Sequence, residues 1–139
     1  MRSLAFLAFV VVSAVTPAQA QQDTSALPPQ EIGMIAVGQP RTGILEPGDY
    51  TMEDGTWADV WYVNLAAGQR IVIDLHSARF DAYLQLLDPW GTKLAEDDNA
   101  GPGSDARIVF AVTTAGRYQI VVNNYEEDRR TGPYQLSVR

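Results

Sequence analysis

Apolar and polar residues alternate with a period of two along most of this chain. After Gly68 the apolar positions are Ile71, Ile73 and Leu75; after Gly116 they are Tyr118, Ile120 and Val122. Successive side chains of a strand point to opposite faces, so this period predicts strands with one buried side. It sets Trp61, Val63 and Leu65 on one side of a strand over 59–65, and Leu84 and Leu86 inward on 80–87. Ala106, Ile108, Phe110 and Val112 line the next inward face, and Tyr134, Leu136 and Val138 the last. With short strands at 42–45 and 92–95, the count comes to about eight, spaced by roughly 8–12 residues. No stretch carries a helical stripe. The expected fold is all-β, an antiparallel β-sandwich.

Turn chemistry supports the same division. Asp88-Pro89-Trp90-Gly91 has the residues of a type I turn, with Asp first, Pro second and Gly fourth. Pro47-Gly48 and Ala67-Gly68 mark further reversals. Residues 97–104 form a loop rich in Gly, Pro and Asp, and 126–132 a charged one. Once the strands have taken their share, few apolar residues remain to wall a catalytic centre.

The N-terminus reads as an address. Arg2 precedes an apolar run from Leu4 to Val15, and Ala18-Gln19-Ala20 is a small-x-small cleavage site. Twelve apolar residues are too few for a bilayer core, which needs about 20. Cleavage is expected after Ala20, sending the protein to the periplasm or beyond the cell. No cysteine follows, which excludes a lipoprotein anchor, a thiolate metal site and a cysteine nucleophile. Residues 21–39, with Pro28-Pro29, read as a flexible lead-in, in which Ile32, Met34 and Ile35 offer an edge strand. Residues 40–139 are the expected domain. Seventeen acidic against ten basic residues give a formal net charge of −7. Such a surface repels nucleic acid and anionic lipid.

Several segments recur in a fixed order: Asp59-Val60-Trp61-Tyr62-Val63, Ala67-Gly68-Gln69, Phe80-Asp81-Ala82-Tyr83-Leu84-Gln85-Leu86, Asp88-Pro89-Trp90-Gly91 and Asp97-Asp98. Ala115-Gly116-Arg117-Tyr118 and Thr131-Gly132-Pro133-Tyr134-Gln135-Leu136 complete the set. Over about Gly43 to Val138 the chain resembles the bacterial pre-peptidase C-terminal domain. The resemblance implies a jelly-roll-like, non-catalytic β-sandwich that usually trails a secreted protease and serves secretion, folding or substrate attachment. It also implies calcium as a possible ligand, through related collagen-binding domains. Here the domain is expected to stand alone behind a signal peptide, so any service to a protease would be rendered in trans.

Candidate chemistry is sparse. His76 is the single histidine, with Asp74, Ser77 and Asp81 near it in sequence. A small hydrolase would need three such groups to converge beside an oxyanion hole, and no Gly-x-Ser-x-Gly elbow presents a serine. Asp97, Asp98, Asn99 and Asp105 offer oxygen ligands for calcium on a flexible loop; the competing reading is a solvated turn whose side chains bond their own backbone. The Asp81 carboxylate, inside an apolar stretch, is expected to tie its strand to backbone N–H groups of a neighbouring loop. Trp57, Trp90 and Tyr125 flank strands or sit in turns, and are the candidate surface for a protein or polysaccharide partner. The reading favoured is an exported, non-catalytic module that binds a macromolecule or assists a secreted partner. A calcium-stabilised envelope protein is the alternative, and a hydrolase using His76 the remoter one.

Overall fold

The computed structural model describes residues 31–125 and 130–139. The expected leader at 1–20, the first half of the lead-in and part of the 126–132 loop lie outside the described residues. Ten strands follow in order: β1 (Glu31–Met34), β2 (Arg41–Leu45), β3 (Tyr50–Thr51), β4 (Trp57–Leu65), β5 (Arg70–His76), β6 (Ala82–Leu87), β7 (Lys93–Asp97), β8 (Ala106–Ala111), β9 (Gly116–Asn124) and β10 (Gly132–Val138). They form two facing sheets. The six-stranded sheet runs β1-β4-β9-β6-β7, with β3 also paired to β4; the four-stranded sheet runs β2-β10-β5-β8. All pairs are antiparallel except β1 with β4. The fold is the expected β-sandwich.

All eight strands foreseen from the alternation are present, and β3 is an addition. In β1 the edge strand offered by Ile32, Met34 and Ile35 is formed. The Ile35 N–H donates to the Tyr62 carbonyl (2.9 Å), and Ile35 is only 1% exposed. The chain then crosses to the other sheet, where the Gly38 N–H donates to the Val138 carbonyl (2.7 Å). One buried isoleucine and a short row of backbone bonds thus tie residues 31–39 to the domain. The turn at Asp88–Gly91 closes as its residues require. Gly91 N–H donates to the Asp88 carbonyl (3.0 Å), while Asp88 Oδ1 accepts from the N–H groups of Trp90 and Thr92 (2.9 and 2.8 Å).

The interior is dry along most of its length. Ile73, Leu75, Leu84, Leu86, Ile120, Leu136 and Val138 are all buried to 1% exposure or less. Burying a side chain of this size stabilises by about 1.5–3 kcal/mol before entropy is counted. One cluster breaks the dryness. Trp61 Nε1–H donates to Tyr134 Oη (2.8 Å), and Tyr134 Oη–H donates to Asp59 Oδ2 (2.6 Å). Asp59 shares its strand parity with Trp61 and Val63, so it points between the sheets. Gly43 stands opposite Tyr134 in the β2–β10 register, and a Cβ there would fall 2.3 Å from the Tyr134 ring. The glycine makes room for a phenol whose hydrogen bonds join the two sheets.

Candidate binding groove

The outward face of the six-stranded sheet can be read from its register. β4 presents Ala58, Val60 and Tyr62; β9 presents Gln119, Val121 and Asn123; β6 presents Tyr83, Gln85 and Leu87. Cross-strand pairing sets them in rows: Tyr62–Gln119–Leu87, Val60–Val121–Gln85 and Ala58–Asn123–Tyr83. An outer face is normally polar. Here Ala58, Val60 and Val121 form a second buried apolar cluster, with Met52, Tyr62 and Leu87 packed against it.

A wall rises over this floor from β3 and the turn that follows. The turn is closed by Gly55 N–H to the Met52 carbonyl (2.9 Å) and Met52 N–H to the Thr56 carbonyl (2.8 Å). Asp54 Oδ1 accepts from both the N–H and the hydroxyl of Thr56, and Asn123 Nδ2 on β9 donates to that hydroxyl oxygen (3.0 Å). Wall and floor enclose an open groove of about 480 Å³ lined by Val60, Val121, Leu87, Met52 and Tyr50, with Gln85, Gln119, Glu53 and Asp54 as its polar groups. Beside it the Arg117 guanidinium lies over the Tyr62 ring, 3.9 Å from the centroid. The arrangement suits an extended segment: an apolar floor for its side chains, and two amides able both to donate to and to accept from its backbone.

The residues singled out from the sequence lie elsewhere. Trp90 is 78% exposed at the tip of its turn, and Tyr125 is 61% exposed with its ring 5.7 Å from that of Tyr83. They flank opposite ends of β6, whose Leu87 pairs with Gln119 and whose Ala82 pairs with Asn124. Trp57 is half-buried and packs against the main core. The three aromatics are therefore not brought into one patch. Of the proposed calcium ligands, Asp97 Oδ2 accepts from the N–H groups of Ala100 (2.8 Å) and Arg107 (2.9 Å), and Asp105 Oδ1 meets His76 Nδ1 at 2.6 Å. Among the described residues, no three His, Asp or Glu side chains converge as a metal cage would require.

His76 is 60% exposed at the end of β5. Ser77 Oγ–H donates to the Pro133 carbonyl (3.0 Å), and the same oxygen accepts from the N–H groups of Arg79 and Phe80. Asp74 accepts from Arg107 Nε (2.5 Å) and Arg139 Nη2 (2.9 Å). Each group of the imagined triad is thus engaged with a different partner. Asp81 is held at its main chain. Its strand is tied through the main chain, with Tyr125 N–H donating to the Asp81 carbonyl (3.0 Å) and Ala82 N–H to that of Ser104 (3.2 Å). The Asp81 Oδ1 is buried without a hydrogen-bond partner. Burial, and then the nearby Asp98, push its carboxyl above the usual range.

The groove went unforeseen, although two irregularities announced it. The alternation inverts at Asp59-Val60, where the acid takes the inward parity and the valine the outward one. In β9 it fails at Ile120-Val121-Val122, where three apolar residues in a row force one outward.

A comparison with curated protein sequences finds no match. Among solved structures, the pre-peptidase C-terminal domain of a collagenase from Bacillus anthracis superposes with a TM-score of 0.60 at 22% identity, covering 78% of this chain and 96% of that one. PliG of Aeromonas hydrophila, a periplasmic inhibitor of g-type lysozyme, gives 0.55 at 17% identity over 78% and 96%. PliG of Salmonella Typhimurium, an inhibitor of the same kind, gives 0.52 at 13% identity over 77% and 96%. At these identities the likeness is one of fold. The family model of the bacterial pre-peptidase C-terminal domain matches residues 58–124, which run from β4 to the end of β9 and take in the whole groove floor.

Proposed function

We propose that this chain is an exported, non-catalytic binding module that grips an extended segment of a macromolecular partner, a secreted protein such as a protease, on the outer face of its six-stranded sheet. One observation carries the reading: an open groove of largely apolar lining, with half-buried Met52 and Leu87 and exposed Tyr50 over the buried Val60 and Val121, lies on a sheet face that is usually polar. Its lining holds amides and carboxylates but neither a serine nor a histidine, so its chemistry is that of holding. The likeness in fold to a collagenase domain and to inhibitors of lysozyme supports a role against another macromolecule.

The test is retention of partners from culture supernatant on the immobilised protein, with Val121→Lys in parallel. Lysine puts a charge into the apolar floor and carries its stem out of the groove. Wild type is expected to retain a partner that the variant, folded by circular dichroism, loses by at least tenfold, or about 1.4 kcal/mol. Equal retention by both would move the contact off the groove, and elution of a glycan would change the partner's class.

A further inference from the structure

The four-stranded sheet ends on β8, and what that edge offers follows from its ladder. Val72 of β5 exchanges both backbone bonds with Arg139: its N–H donates to the Arg139 carbonyl (2.7 Å), and its carbonyl accepts from the Arg139 N–H (3.0 Å). Val109, opposite Val72 in the β5–β8 register, therefore exchanges none with it. The backbone polar groups of Val109 turn away from β5, and so do those of Arg107 and Ala111, which share its parity. Arg107 fixes the sense, because its N–H leaves the sheet and donates to Asp97 Oδ2 at the end of β7 (2.9 Å). Among the described residues, nothing answers the N–H groups of Val109 and Ala111.

Natural sheets blunt such edges, because an open row of backbone groups invites another strand. The other edges of this sandwich are blunted. β7 carries Lys93 and an irregular register against β6. β2 follows Pro40 and holds Gly43 at its middle. β1 and β3 run to four and two residues. β8 reads Ala-Arg-Ile-Val-Phe-Ala, without Gly, Pro or Lys, and its one charge, Arg107, is drawn along the sheet face to Asp74. Its Val109 is 49% exposed, and Phe110 is half-buried.

We infer that β8 is a self-complementary edge, on which two copies of this chain join antiparallel about a two-fold axis at Val109 and fuse their four-stranded sheets into one. The side chains set that register. With the axis there, each Val109 exchanges both backbone bonds with Val109 of the other copy. Each Ala111 N–H reaches the Arg107 carbonyl opposite, while the Arg107 N–H stays on Asp97. On the outer face the Val72–Val109 row runs on into its own image, and on the inner face half-buried Phe110 meets Ile108. Arg107 falls opposite Ala111, so no like charges confront each other across the seam. A two-fold contact requires one surface to fit itself, and this strand meets that condition. The groove is untouched. Its wall, β3, is paired to β4 on the far side of the other sheet, whereas β8 packs beside β6 and β7. Each pair of copies thus presents two grooves, and the pairing stands or falls separately from what they hold.

Sedimentation equilibrium of the protein tests it. Wild type is expected to approach twice the monomer mass as its concentration rises. Val109→Lys, which sets two charges face to face on the axis, should raise the dissociation constant at least tenfold while its circular dichroism stays that of wild type. The chain has no cysteine, so single replacements report the contact directly. Hydrogen-bonded partners in an antiparallel pair lie about 5.5 Å apart between Cα atoms, within disulfide reach. Val109→Cys should therefore cross-link under mild oxidation at least tenfold more than Ile44→Cys, although Ile44 on the β2 edge is the more exposed of the two at 58%. If Val109→Lys fails to fold, wild type and the two cysteine variants decide the matter. A wild type that stays monomeric, a dimer indifferent to Val109→Lys, or cross-linking that follows exposure instead of the β8 edge would overturn the pairing. A monomer that takes up an extended peptide on β8 would overturn it as well, and give the edge to a partner.

Discussion

The two outer faces of this sandwich have opposite characters. The four-stranded sheet shows solvent a lattice of charge: Asp74 held between Arg107 and Arg139, and His76 paired with Asp105. Its polar groups answer one another. The six-stranded sheet shows an apolar depression, overhung by a short hairpin and backed by a buried acid. The first face sets paired charges beside the exposed Ile44 and Val109, whereas on the second an apolar groove lies open over Val60 and Val121, which are themselves buried. A protein that works by contact is expected to keep its open surface where its own side chains have not closed it.

Four measurements sharpen or break this contrast, and the largest concerns the buried acid. An acid whose folded pKa is raised binds its proton more tightly folded than unfolded. Asp59 therefore contributes stability that is complete below its ordinary value of 3.8 and is lost as the pH rises to about 7. At about 1.4 kcal/mol per pKa unit the loss reaches at most about 4 kcal/mol. Denaturant titrations between pH 4 and 8 should show it, and Asp59→Asn should flatten the profile. A wild-type profile without that fall would make the two faces equally indifferent to pH.

Next comes Tyr134→Phe, which strips Trp61 Nε1 of its acceptor and Asp59 Oδ2 of its donor. A cost of about 1–3 kcal/mol is expected, read as a shifted denaturation midpoint. Gly43→Ala, whose methyl would meet the same ring, is expected to cost about 1–3 kcal/mol as well. An unshifted midpoint would show that the bridge between the sheets bears no strain or load. The smallest effect belongs to the charged face. Arg107→Gln should shift the denaturation midpoint least, because its pair with Asp74 is only partly withdrawn from solvent, and the difference should shrink in high salt. A larger cost would mean that the lattice of charge, and not the dry interior, fastens that sheet.

Much of the fold was legible in the amino-acid order. Ile71-Ile73-Leu75 and Tyr118-Ile120-Val122 have one explanation under a period of two, and Asp88-Pro89-Trp90-Gly91 one turn that suits it. β3 was not legible, because two residues cannot display a period. The groove hid for a different reason. Alternation sorts residues into inward and outward, and the rule treats whatever falls outward as solvent-facing. Val60 and Val121 come from strands far apart in the chain and become neighbours only through the β4–β9 register. The exposed aromatics show the converse. Trp90 and Tyr125 were conspicuous singly, but the same register sets them at opposite ends of one strand.

The position of β10 carries a consequence for biosynthesis. This strand lies in the middle of its sheet, bonded to β2 on one side and β5 on the other, and Arg139 exchanges backbone bonds with Val72. On a ribosome, β2 must wait with its edge bare until the closing strand has been made and released. A chain interrupted before Gly132 would hold two halves of a layer with nothing to join them. Completion of that sheet is thus deferred until Gly132–Val138 has been made.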